Sequence, residues 1–508
     1  MIRRIPSLIL IMVLITAGCG VMTDRPLETT SPSVDASTRT SAVLRAAYAT
    51  ILDRYVDPVT LPELVHKGLS GLSEVDPAVQ VVDHGSALGV QVADTVVARI
   101  PAPARDDVAA WSTSSADVIA AVRSASPLVL SAGEDQVLDV VLKRTLSSLD
   151  SHSRYASADQ AVGHRARRQG YGGVGIRFQS RDGHTVVTEV LAGSPAERAG
   201  VRVRDRISHI DGTDLAGASE RQVSAHLRGP VGSRLSMTVL REGRPAPLRF
   251  DIDRSHFILP TVRLSNDEGI LYVAVSGFNQ DTARSLALAL GSDLADASRG
   301  VVLDLRGNPG GLLHQSVLVA DLFLAGGRIV MTQGRHPDSR QLYLADDDDV
   351  LAGAPVVVLL DGGSASAAEI VAAALKDRGR AVVLGTASYG KGTVQTVSPL
   401  PNDGELVLTW SRLVSPSGRI IGAEGVIPTL CTSGLGTIDS PDTDRLLRTA
   451  LMRSPVPAGA SRKDCPAARH ANDVDVRIAR ALLTEPAAYR RFVLPGPAIA
   501  EVAGGGAP

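Results

Sequence analysis

The sequence predicts a multi-domain α/β protein. It has an N-terminal helical region over 41–160, a β-rich domain over 165–255, a βαβ-containing core with a parallel-sheet portion over 256–433, and a helical extension over 434–508. Three observations carry this prediction. At 508 residues the chain is too long for one domain of roughly 150 residues. Apolar spacing near 3.6 dominates the first region, whereas the third alternates apolar strand runs with helical stretches, the pattern of βαβ units. Hydrophobic residues at 44% and charged residues at 21% are those of a globular chain and exclude a fibre or a multi-span membrane protein. The 52 basic and 54 acidic residues leave a net charge of -2, so nothing electrostatic points to nucleic acid. With aromatics at 3%, the cores must be built from Ala, Val, Ile and Leu.

Taken in order, Arg3 and Arg4 precede an apolar run from Ile5 to Ile15 and then Thr16, Ala17, Gly18 and Cys19. A short basic region, an apolar run and small residues read as an export signal over 1–18. The run is shorter than the ~20 residues a membrane-spanning helix needs. Cys19 after Ala-Gly resembles a bacterial lipobox, although Thr16 departs from it, and implies a lipidated N-terminus; ordinary cleavage with Cys19 incidental is the alternative. The Ser/Thr/Pro-rich stretch that follows, within 19–40, suits a solvated tether. Cys431 and Cys465 remain, an even pair that in an exported chain forms a disulfide or two buried thiols.

Ser41 to Leu52 and Gln136 to Leu149 carry helical periodicity, and the stretch between Asp76 and Ala132 reads as an insertion. From Gly170 the texture becomes short β-runs broken by Gly, Asp and Pro. Gly173, Val174, Gly175 and Ile176 open it, a helical run from Ser219 to Leu227 follows, and Arg228-Gly-Pro-Val-Gly leads into another β-run. This order resembles a PDZ domain. The resemblance implies that the Gly173–Ile176 turn holds a C-terminal carboxylate on backbone N–H groups while the peptide adds as a strand to a sheet edge. Arg228 either links peptide binding to the site or is a surface arginine.

Three β-runs in the core end in unusual loops: Arg306-Gly-Asn-Pro-Gly-Gly, Gly363-Ser-Ala-Ser-Ala-Ala-Glu opening an Ala-rich helix, and Ser388-Tyr-Gly-Lys-Gly-Thr. In open parallel sheets sites form at such strand ends. If the strands are neighbours, Ser366 at a helix N-terminus faces Lys391. A serine needs a base to become a nucleophile, and a lysine serves as that base once burial or positive potential lowers its pKa. A helix N-terminus favours a developing oxyanion.

Ser364-Ala-Ser-Ala-Ala-Glu, Lys376-Asp-Arg-Gly, Gly385 to Gln395, Leu149-Asp-Ser-His-Ser-Arg-Tyr and Asp304-Leu-Arg-Gly-Asn-Pro-Gly-Gly together resemble the C-terminal processing (tail-specific) serine peptidases. The resemblance spans about 41–430, with 76–132 poorly matched. It implies Ser366 as nucleophile, Lys391 as general base and Gln395 as the residue orienting the lysine. It further implies an oxyanion hole from the N–H groups of Ala367 and of Gly310 or Gly311, and support from Glu369 and Asp377. Ser364 is a rival nucleophile and His314 a rival base. A non-catalytic peptide-binding scaffold of the envelope is the alternative function. The resemblance also implies C-terminal tails of exported proteins as partners, an activating adaptor, and no metal or other cofactor; the lipobox-like Cys19 implies a lipid anchor facing the extracytoplasmic space. Gly385 to Lys391 nearly matches a phosphate-binding loop, but Gly392 stands where Ser or Thr is needed and a β-branched run follows where a helix should start.

Overall fold

The structure, a computed structural model, describes residues 32–181, 183–293, 299–435, 443–457, 459–468 and 473–493. The export signal, Cys19, most of the tether and the chain end after 493 lie outside these residues. One expectation is corrected at the boundary. A helix runs from Pro32 to Arg54, so its first turns fall inside the stretch expected to be tether. Pro32 is tolerated in a first helical turn. The buried stripe of Val43, Leu44, Ala47, Tyr48 and Ile51 anchors the helix downstream, and tertiary packing extends it past weak local propensity.

The N-terminal region packs this helix against Val108–Ala125, with Leu61–Leu69 and Glu134–Ser147 beside them. The 76–132 stretch holds a three-stranded antiparallel sheet of Val79–Asp83, Ala87–Val92 and Thr95–Pro101. Val79, Leu88 and Val90 join the same apolar cluster as Trp111, Val118 and Val141, so the insertion is part of this domain's core.

The PDZ domain is an antiparallel sheet in the order Leu248–Asp253, Arg234–Leu240, Arg206–Ile210, His184–Val190 and Ile176–Arg181. Ser219 caps the helix Glu220–Leu227, its side chain accepting from Gln222 N and Gln222 reaching back to Ser219 N, as a capping box should. Val223 and Leu227 of this helix close the core over Ile207, Leu235 and Met237.

The 256–433 core is a six-stranded sheet in the order Val262–Asp267, Ile270–Val275, Gly300–Asp304, Val356–Leu360, Val382–Gly385 and Leu430–Cys431, antiparallel at its first pair and parallel across the rest. Strand periodicity of two sends Val356, Val358 and Leu360 to one face and Val357 and Leu359 to the other. Helices Thr282–Asp293, Leu313–Asp321 and Ala367–Asp377 belong to the first face, and the extension helices Val474–Thr484 and Pro486–Phe492 cover the second. Both faces being buried explains why these strands read as unbroken apolar runs. A second, antiparallel sheet of Gln341–Ala345, Gly327–Gln333, Glu405–Val414 and Thr393–Pro399 also takes in Arg154–Ala156, from the segment preceding the PDZ domain.

Candidate active site

Strand Val356–Leu360 delivers Asp361 at its C-terminal end. The Asp361 side chain accepts from Gly307 N at 2.8 Å and Gly363 N at 2.9 Å, tying two of the three loops together. Asn308 extends the tie: its carbonyl accepts from Ala365 N at 2.9 Å and its Oδ1 from Gly310 N at 2.8 Å. Ser366 follows, at φ 57 and ψ -111, immediately before the helix Ala367–Asp377. A serine in this left-handed region costs about 1–3 kcal/mol and persists only where the surroundings over-determine it. Gly310 explains part of that constraint. A Cβ there would meet Ser366 Cβ at 2.9 Å and Ala367 N at 3.0 Å, so only glycine lets the two loops close on each other.

The two candidate serines are unlike. Ser364 is fully buried, donating to Leu305 O at 2.8 Å and accepting from Asp361 N at 3.0 Å. Ser366 is half-buried and sits as the N-cap of the helix, paired with Glu369 in a capping box.

Glu369, completely buried one turn into the helix, joins Ser366 to Lys391. Its carboxylate accepts from Ser366 N at 2.6 Å, Gly390 N at 2.6 Å, Lys391 N at 3.0 Å and Ser388 Oγ at 2.5 Å. Ser366 N and Lys391 N share one oxygen, so the two loops are held at a single atom. Lys391 is half-buried beside a glycine, Gly392, whose added Cβ would collide with Ile421 O at 1.5 Å. Burial, helped by the Arg154 guanidinium, pushes the Lys391 ammonium below its ordinary range, while Glu369 and Asp150 oppose the shift. Burial and the charge on Lys391 also lower His152.

Other expected site residues sit differently. Among the described residues no hydrogen bond joins Gln395 to Lys391; its Nε2 donates to Thr393 Oγ1 at 2.9 Å and Thr409 Oγ1 at 3.3 Å. Thr409 Oγ1 in turn donates to Asp150 at 3.2 Å. A bulge between Val394 and Gln395 shifts that strand's register, which sequence spacing could not reveal. Gly310 N is occupied by Asn308, so of the two glycines only Gly311 keeps an N–H without a protein acceptor among the described residues, as does Ala367. Asp377 lies at the far end of the helix from Ser366 and accepts from Ser415 Oγ and Ser417 Oγ, each at 2.6 Å; it organises a turn. His314 is exposed and among the described residues makes no contact with Ser366. The Gly385–Lys391 loop leads into strand Thr393–Pro399, without the helix a phosphate-binding loop requires.

In the PDZ domain, Gly173 ends the short strand Tyr171–Gly173 and Ile176 begins Ile176–Arg181. Val174 O and Gly175 O accept from Ala196 N and Leu191 N, each at 2.9 Å. Among the described residues, the N–H groups of Val174 and Gly175 have no acceptor. Ile176–Arg181 is the sheet's edge strand, and the Arg228 guanidinium lies 4.6 Å from the Tyr171 ring beside the loop.

Sequence reasoning missed Asp150, His152 and Arg154 as neighbours of Lys391, and Ser388 as a partner of Glu369. The 149–155 motif was visible, but its position beside the lysine depends on a strand pairing between Arg154–Ala156 and Glu405–Val414. Cys431 and Cys465 form a disulfide. No group of three or more metal-ligating side chains occurs among the described residues, and no helix there is long and apolar enough to cross a membrane.

Residues 269–431 match the model of peptidase family S41 and residues 186–241 that of the PDZ domain. The chain is 36% identical over 301 residues to a carboxy-terminal-processing protease of Bartonella bacilliformis, covering 58% of this chain and 69% of that protein. It is 30% identical over 298 residues to the carboxy-terminal processing protease CtpA of Bacillus subtilis, covering 58% and 64%. Among solved structures it aligns with a photosystem II D1 C-terminal processing protease at 24% identity and a TM-score of 0.40, over 77% of this chain and 92% of that one.

Proposed function

Because the chain belongs to the carboxy-terminal-processing proteases of peptidase family S41, serine-type hydrolases carrying a PDZ domain, we propose that it cleaves exported proteins near their C-termini with a Ser366–Lys391 dyad. The observation that carries this reading is the Glu369 carboxylate accepting from the backbone N–H of both residues. It presents a strained, accessible serine at a helix N-terminus together with a lysine whose charged form burial disfavours.

In this reading the tail's carboxylate docks on the free N–H groups of Val174 and Gly175, and the tail extends along edge strand Ile176–Arg181. Ser366 Oγ attacks the scissile carbonyl while Lys391 Nζ takes its proton. The N–H groups of Ala367 and Gly311 stabilise the oxyanion, as preorganised backbone donors do. Lys391 then protonates the leaving amine, and the acyl-enzyme is hydrolysed by water with Lys391 again the base. Gln395 acts at one remove, through Thr409 and Asp150. Lipidation at Cys19 would hold the enzyme on the extracytoplasmic side of a bacterial membrane, and an adaptor would act from the same side.

The test incubates the chain from Val21 onward, with chelator present, with an unstructured protein ending in an apolar tail, read by intact mass. Wild type is expected to cleave, with the rate falling as pH drops and Lys391 takes up a proton. Ser366→Ala and Lys391→Ala are expected to be inert, and Ser364→Ala to retain the acylation step. Equal cleavage by wild type and Ser366→Ala would sink the proposal. No cleavage by any form, with tail binding intact, would favour the scaffold reading.

A further inference from the structure

The helical extension does more than cover the sheet. Beyond the matched protease region, residues 459–468 return to the active-site side, tied by the Cys431–Cys465 disulfide. Both sulfurs are buried in a small apolar cluster with Ala387, Ile427 and Ala460. Val456 N donates to Thr429 O at 2.9 Å, so the chain is laced down before the disulfide as well as at it.

From this seat the segment reaches both catalytic loops. Ala468 O accepts from Gly362 N at 2.8 Å and from Thr386 Oγ1 at 2.8 Å, linking the loop that leads to Ser366 with the loop that leads to Lys391. The Arg462 guanidinium donates to the carbonyls of Ser388 and Tyr389, the residues just ahead of Gly390 and Lys391. Arg462 N and Nε bind Glu424 at 2.7 and 3.3 Å, which fixes the direction of the side chain. Ser388 is thus gripped from both sides: its carbonyl by Arg462, its hydroxyl by Glu369 at 2.5 Å and by Val426 N at 2.7 Å.

We propose that Arg462 is a positioning residue for catalysis, and that the disulfide-tied segment 459–468 is a strap holding the Lys391 loop against Glu369. This rests on Lys391 being the general base. One nitrogen of the guanidinium, Nη2, serves both carbonyls while Nε is held by Glu424 O, so the planar group spans two loops at once, which a single ammonium does not reproduce. Loss of the grip lets the loop move outward, and a misplacement of about 1 Å at a reacting group costs on the order of 100-fold in rate. Loss of the disulfide releases the strap and reaches the same loop, so the two lesions act through one path.

The test uses the full exported chain and the tail-bearing substrate. Arg462→Ala is expected to lower kcat by about 10- to 100-fold with KM little changed, and to move the rising limb of the pH–rate profile upward as Lys391 gains water. Arg462→Lys should recover part of the loss. The Cys431→Ser/Cys465→Ser pair should lower kcat to a similar extent, and adding Arg462→Ala to it should cost little more, as for residues acting as one unit. Folding is followed by the thermal transition. A folded Arg462→Ala enzyme with unchanged kcat and pH limb would overturn the proposal, as would fully multiplicative losses from the cysteine and arginine changes. Should Arg462→Ala not fold, an Arg462→Lys enzyme with wild-type kcat and pH limb overturns it equally. Failure of the dyad itself is read separately, from activity surviving in Ser366→Ala.

Discussion

The lowered proton affinity of Lys391 depends on neighbours that are far away in the chain. Burial lowers its affinity for a proton and Arg154 lowers it further. Arg154→Gln removes the positive partner, so the rising limb of kcat/KM should move to higher pH; an unmoved or lowered limb would contradict this. The same burial has a cost in stability. Because the folded-state pKa of Lys391 is depressed below 10.5, the unfolded chain binds more protons between the two values, and stability rises with pH across that window. Below the window the folded protein bears the full penalty. Lys391→Met should therefore abolish cleavage yet raise Tm near neutral pH, an effect that fades as pH approaches 10.5. A lowered Tm would count against the desolvation argument. Ser366 and Lys391 were legible from their loops and spacing. Asp150 and Arg154 were not, because they meet the lysine only through long-range pairing such as the Thr409–Asp150 contact across 259 residues.

At the scale of elements, the helix Ala367–Asp377 separates its two acidic residues into different tasks. Glu369 in the first turn bonds four donors from two loops. Hydrogen bonds to a charged group contribute roughly 1.5–3 kcal/mol each. Glu369→Gln removes the charge and turns an amide toward N–H donors, so kcat should fall by at least about 100-fold and Tm should drop; a folded variant with near-normal kcat would refute the organising role. Asp377 in the last turn bonds Ser415 and Ser417, and Asp377→Asn should lower stability while sparing kcat. Both carboxylates occupied positions of equal standing in the sequence. Their distance from the helix N-terminus, together with the chain that passes over each end, distinguishes them.

Across the whole molecule, the parallel sheet needs two covers. Ile478, Ala479 and Leu482 are fully buried against the face formed by Val302, Val357, Leu359, Val382 and Leu384. Burying an unpaired charge there is severely unfavourable, so Leu482→Asp should aggregate or lose its cooperative thermal transition. If that variant melted as wild type does, the extension could not be a structural cover. The PDZ domain, by contrast, has its own core of Ile207, Ile210, Val223, Leu235 and Met237, and its edge strand remains available for a tail.

Local patterning was enough to identify the helical, β-rich and βαβ regions, because periodicities of 3.6 and 2 are written into neighbouring residues. It also nominated the serine, the lysine and the glycine loops as candidates, because the chemistry proposed for them needs particular residue types. Tertiary structure alone decided that among the described residues Gly311 rather than Gly310 keeps an N–H without an acceptor, that Gln395 bonds Thr409, that the 76–132 stretch belongs to the N-terminal core, and that the C-terminal extension returns to the loops around Gly362 and Ser388. Each of these depends on hydrogen bonds or packing between residues distant in sequence, where a bulge, a strand partner or a disulfide sets the geometry and no local pattern records it.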